Sequence, residues 1–134
     1  MLSLHDLVWA NDYDKLSQKQ WTKFELNVVD ELGESLLHYA VRKNNYKIVR
    51  WLLSCGLDPN TKDNYQNTPL HIAAACSSIG IVVCLMMNGA DMSLKDINGL
   101  TPIDCCDADE RIFRGKAKKE LFKTEIRYKN FIKG

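Results

Sequence analysis

The sequence predicts an all-α solenoid, a stack of about four helix-turn-helix units. Three observations predict it. Residues recur at a spacing of 33: Asp30, Asp63 and Asp96 share one register, as do His5, His38 and His71, and Gly56 and Asp58 match Gly89 and Asp91. A fixed period of about 20 to 50 residues is the signature of units that bury their apolar face only against a neighbour. Within each period, short apolar runs such as Ile48, Val49, Leu52 and Leu53 fall at helical spacing. Capping residues precede these runs (Ser35, Thr68) and glycines follow them (Gly56, Gly89).

Residues 1–29 read as a degenerate first unit. Leu4, His5, Val8, Asn11, Tyr13 and Leu16 match Leu37, His38, Val41, Asn44, Tyr46 and Val49. Lys19 and Gln20 stand where the next unit has Leu52 and Leu53, as a terminal unit with one polar face requires. Residues 30–62 form a complete unit. A first helix is expected near Ser35–Lys43, its free N–H groups capped by the Ser35 hydroxyl. A second is expected near Tyr46–Ser54, ended by Gly56, which tolerates positive φ. Residues 63–95 repeat the pattern, with Thr68 as cap and Pro69 in the first turn, where its missing N–H costs nothing. Ile79, Ile81, Val82, Leu85 and Met86 supply the buried face of its second helix. Residues 96–134 begin a degenerate last unit. Asp104 replaces the histidine and the register fades after Arg111. Ile112, Phe113, Ala117, Leu121, Phe122 and Ile126 then predict a capping amphipathic helix over 111–127, weakened by Gly115.

Thr68-Pro69-Leu70-His71, Gly89-Ala90-Asp91 and the 33-residue register together resemble the ankyrin repeat, over roughly residues 2–110. The resemblance implies that the turns between units project as β-hairpin fingers. It also implies that fingers and first helices line a concave surface on which a partner protein docks. The repeated imidazole would bond the hydroxyl three residues before it and nearby backbone, in the pairs Ser35 with His38 and Thr68 with His71. Besides Asp104, three places depart from the family pattern: Leu36 for proline, Gln66 for glycine, and Ser77-Ser78 for Gly-His.

The net charge of +1 hides two opposed regions. Residues 1–110 carry 9 Lys/Arg against 15 Asp/Glu, a net of −6, and residues 111–134 carry 9 against 2, a net of +7. The five cysteines form neither a disulfide framework nor a metal pair. No secretory leader or membrane-spanning stretch is legible, so a cytoplasmic or nuclear setting is expected. No nucleophile set, phosphate loop or zinc motif is present, so neither catalysis, a cofactor nor a metal is expected. Repeats in such a stack lie too far apart for the three histidines to share one ion.

Mapped onto the sequence, the expected fingers present Glu31, Leu32 and Glu34, then Asn64, Tyr65 and Asn67, then Ile97, Asn98 and Leu100. The helical floor is Trp9, Arg42, Lys43, Ala75, Cys76, Ala108 and Asp109. Leu32, Tyr65, Ile97 and Leu100 are the expected anchors, since solvated tips do not need apolar residues. Arg42, Lys43, Glu31 and Glu34 are expected to set charge complementarity. The basic tail, with Arg114, Lys116, Lys118, Lys119 and Lys123, reads as a cap facing solvent or the acidic body. Its functional alternatives are an acidic membrane surface, nucleic acid or an import receptor. The expected function is therefore non-enzymatic binding of a partner protein by a monomeric chain. The alternatives are an accessory module of a larger protein, such as an acyl-CoA-binding or other lipid-handling protein, and electrostatic attachment through the tail.

Overall fold

The computed structural model describes residues 3–76 and 78–105, together with Lys119 and Lys123. Among these residues the helices run α1 (Leu4–Trp9), α2 (Tyr13–Ser17), α3 (Lys23–Leu26), α4 (Leu36–Arg42), α5 (Tyr46–Ser54), α6 (Pro69–Ala75) and α7 (Ile79–Met87), followed by a 3-10 turn over Ile103–Cys105. They form two layers. In the inner layer α4 lies between α1 and α6, and the 3-10 turn packs on α6. In the outer layer α2, α5 and α7 each back their own inner helix, and α5 meets α7.

The helices begin where the sequence offers oxygens to their free N–H groups. Ser3, Ser35 and Thr68 each accept a bond from the backbone three residues on. Asn45 does the same for α5 through Ile48 N–H, at 3.1 Å. The second helices stop before Gly56 and Gly89, at φ +89° and +92°, where a Cβ would be strained. The helices expected near Ser35–Lys43 and Tyr46–Ser54 are α4, flanked by those two caps, and α5. One continuous core joins both layers and includes Leu16, Leu37, Leu52, Leu70 and Leu85, all fully buried. Cutting any of these to alanine costs about 2–5 kcal/mol. Leu36, at the place the family pattern gives to proline, is fully buried as well.

The first unit differs in a way the repeat register does not predict. Its outer helix α2 ends at Ser17, and the short α3 follows after a bend. Thr22 and Glu25 cap α3 reciprocally, each side chain accepting the other's backbone N–H. Register places Phe24 with the buried Leu57 and Ala90, yet Phe24 is 89% exposed and Leu26 is buried in its stead. Lys19 is exposed as expected, lying 3.6 Å from Glu25 and 4.3 Å over the Trp21 ring.

The turns between units are tight loops. Asp30, Asp63 and Asp96 donate their N–H to the carbonyls of Glu34, Asn67 and Leu100, at 3.1, 3.1 and 2.9 Å. No strand occurs among the described residues, where the β-pairing is a single bridge between Val29 and Ser35. The expected hairpin fingers are thus closed turns without strands. The helix expected over 111–127, and with it Ala108, Asp109, Arg114, Lys116 and Lys118, lies outside the described residues; Lys119 and Lys123 are helical and exposed. No helix among the described residues is long and apolar enough to cross a membrane.

Candidate functional site

Each turn is built on an aspartate. Asp30 Oδ1 accepts the N–H groups of Leu32 and Glu34, at 3.0 and 2.8 Å. Asp63 Oδ1 takes those of Tyr65 and Asn67, and Asp96 Oδ1 those of Asn98 and Leu100, all at 2.9 Å. One carboxylate oxygen thereby satisfies the two donors that a loop this tight leaves unpaired. The second oxygen of Asp30 accepts the Tyr39 phenol at 2.6 Å. Burial works to raise the Asp30 carboxyl, but the Tyr39 phenol and the two N–H groups outweigh it and hold it below the usual carboxylate range. The same bond pushes the Tyr39 phenol up to about 12.

The histidines tie each unit to the next. Ser35 N–H donates to His38 Nδ1 at 3.1 Å, and Thr68 N–H donates to His71 Nδ1 at 3.2 Å. A ring nitrogen that accepts from an amide carries no proton, so Nε2 carries it. Nε2–H then donates to Asn67 O from His38 at 2.7 Å, and to Leu100 O from His71 at 2.8 Å. His5 makes the corresponding contact to Glu34 O at 2.9 Å. Burial lowers the His38 pKa. The pairs Ser35 with His38 and Thr68 with His71 are present as the resemblance implied, and the bond reaching 29 residues ahead is an addition to it.

With the turns so anchored, their tips are left to solvent. Leu32 is 48% exposed, Tyr65 53%, Ile97 63% and Leu100 40%. The tips are also bonded to one another through the backbone. Asn64 N–H donates to Leu32 O at 2.9 Å and Ile97 N–H to Tyr65 O at 3.0 Å, while the Asn64 side chain reaches Glu31 O at 3.2 Å. Glu31, Asn64 and Asn98 are exposed, and Asn67 is half-buried through its turn bonds. On the inner helices, Trp9 is exposed at its rim, with the Lys43 ammonium 4.1 Å over its ring and Tyr39 edge-on at 5.9 Å. Cys76 and Ala75 are exposed at the end of α6.

The structure revises one pair. Glu34 was expected at an exposed fingertip, with Arg42 apart on the floor. Glu34 is instead buried, and Arg42 grips it with both guanidinium nitrogens, one at 3.0 Å and the second closer still. Buried carboxylates need such a partner, and this one is spent inside the molecule. Sequence reasoning also missed Phe24, Val28 and Val29, all exposed apolar residues beside the first turn. The Thr22-x-x-Glu25 capping signature was the available signal that residues there leave the register.

Among the described residues, one cluster has metal-ligand chemistry. Ligand atoms of His71, Asp96 and Cys105 lie within 4.8 Å of one another. Both His71 nitrogens are already committed, Nδ1 to Thr68 N–H and Nε2–H to Leu100 O. An ion would have to displace that proton and break both bonds, so the triplet belongs to the turn anchor.

The comparisons agree with this architecture. The profile described as ankyrin repeats in three copies matches residues 4–96. Ankyrin repeat protein L271 of Acanthamoeba polyphaga mimivirus is 45% identical over 47 residues, which are 35% of this chain and 6% of that protein. Ankyrin repeat protein 14 of Vaccinia virus (strain Western Reserve) is 45% identical over 40 residues, 30% of this chain and 17% of that protein. The chain thus covers a small part of the length of either relative. With most of its length matched by the profile, its inner and outer helices stacked unit on unit, and its histidines bridging successive turns, the chain belongs to the ankyrin-repeat family.

Proposed function

We propose that the chain is a non-enzymatic recognition module whose partner protein docks across the turn tips and the inner helices. Ankyrin repeats in general serve protein–protein interaction and not catalysis. The observation that carries the reading to this face is the row Leu32, Tyr65, Ile97 and Leu100, apolar and open to solvent on turns whose backbones are bonded to each other. Contiguous apolar surface on a rigid frame favours binding, because little freedom is lost when a partner arrives. Tyr65 and Trp9 are of the residue types that dominate binding energy. Charge selection falls to Glu31 and Lys43, since Glu34 and Arg42 neutralise each other.

The test is affinity capture from native extract with the intact chain and with Tyr65→Ala/Ile97→Ala/Leu100→Ala, both checked for equal helicity. Loss of the captured partner supports the reading; identical capture refutes it. A second reading, that the array is an accessory module of a longer protein, is favoured by the relatives, of which the chain covers 6% and 17%. A longer transcript containing these residues would establish it.

A further inference from the structure

The outer layer carries a second surface of different chemistry. Tyr13, Tyr46, Lys47, Arg50, Trp51 and Ser54 line an open groove of about 390 Å³. Apart from Tyr13, at the start of α2, every one of these belongs to α5. Tyr13 meets the half-buried Trp51 edge-on, with centroids 6.4 Å apart. The Lys47 ammonium sits 4.2 Å over the Tyr13 ring, and the Arg50 guanidinium lies 5.7 Å from the Tyr46 ring centre. Lys47 and Arg50 are three residues apart on one helix, so they share a face. Lys15, Lys19 and Arg42 each hold a carboxylate; among the described residues Lys47 and Arg50 form no ion pair, as Lys23, Lys43, Lys62 and Lys95 do not, and the groove gathers two such cations side by side. The groove is cationic on a body whose residues 1–110 sum to −6.

We propose that this groove binds a short acidic segment of a partner protein, its carboxylates on Lys47 and Arg50 and an apolar side chain against Trp51 and the two tyrosine rings. The rings hold both cations in place, so fewer rotamers are lost when a carboxylate arrives. A lone small anion in so open a groove stays hydrated and screened, and it leaves the aromatic surface unused. A nucleic acid would extend its phosphates beyond the two cations onto Asp12, Asp14 and the rest of an acidic body. A peptide with a few carboxylates around an apolar residue matches both halves of the lining. None of these residues is in the tip row, so the site stands independently of the docking face proposed above.

The experiment titrates the intact, isotope-labelled chain with an acetylated Glu-Glu-Phe-Glu-Glu peptide and follows amide shifts. The expected result is perturbation centred on Tyr13 and residues 46–54. Affinity falls at least tenfold in Lys47→Gln/Arg50→Gln, falls with added salt, and is unchanged in Tyr65→Ala/Ile97→Ala. The exposed glutamine variants retain the fold, and their unperturbed spectrum checks this. Equal binding of the Gln-Gln-Phe-Gln-Gln peptide, shifts centred on the turn tips, or no binding at millimolar peptide would overturn the proposal. So would displacement of the peptide by inorganic phosphate at equal concentration, which would mark a simple anion site.

Discussion

The base and the tip of each turn follow opposite rules. At the base the chemistry is copied: Asp30, Asp63 and Asp96 each close a loop through two N–H groups, and His5, His38 and His71 each reach the carbonyl ending the next loop. At the tip it varies: one register reads Glu31, Asn64, Ile97 and the next Leu32, Tyr65, Asn98. The difference separates two kinds of demand. A buried donor or acceptor has few ways to be satisfied, so the base repeats itself. A solvated tip has no such requirement, so its residues are open to selection by a partner.

The comparison can be broken from the base first. His71→Ala orphans the buried Thr68 N–H and takes from Leu100 O one of its two donors, and the expected loss is about 3 kcal/mol in urea unfolding. Asp63→Ala removes the acceptor of two loop N–H groups in a carboxylate that is itself buried, for about 2 kcal/mol by the same measurement. A proton does a gentler version of this. The folded His38 has its pKa lowered below 6.5, so the unfolded chain takes up the proton first as pH falls. Stability is then fully present above about pH 6.5 and declines below it, by at most about 1.4 kcal/mol per unit. Urea midpoints at pH 7.5 and 5.5 measure it, and His38→Gln should flatten the difference. Gln66 departs from the glycine that Gly33 and Gly99 supply, at φ +62°. Gln66→Gly should therefore raise stability by up to about 1 kcal/mol. The tip truncations Tyr65→Ala and Ile97→Ala should move stability by about 0.5 kcal/mol or less while abolishing capture of the partner. A tip variant as destabilised as Asp63→Ala would erase the distinction.

The helix pairs were legible because their signals are local and repeated. Ser35 and Thr68 cap the chain within three residues of themselves, and the register then carries the pattern forward. The register fails in the first unit, where α2 ends at Ser17 and the chain bends into α3. Phe24, aligned with Leu57, turns out to solvent because α3 offers Leu26 to the core instead. Long-range pairings were also hidden. Nothing in the spacing of Glu34 and Arg42 distinguishes an ion pair folded inward from two charges offered outward, since eight residues separate them across a turn and a helix. The spacing of the aspartates was plain, but their two-donor role depends on loop geometry that composition does not encode. The four exposed tip residues were readable because an apolar residue in a tight turn has no packing reason to be there.

The histidine bond has a further consequence for how such a chain changes length. It always spans 29 residues, from His5 to Glu34, His38 to Asn67 and His71 to Leu100. Excising residues 30–62 would set His5 in front of Asn67 at that same interval, and duplicating them would insert one more identical joint. The coupling acts as a ruler that accepts whole units and rejects fractions. An array built this way can gain or lose one tip at a time without redesigning what holds it together.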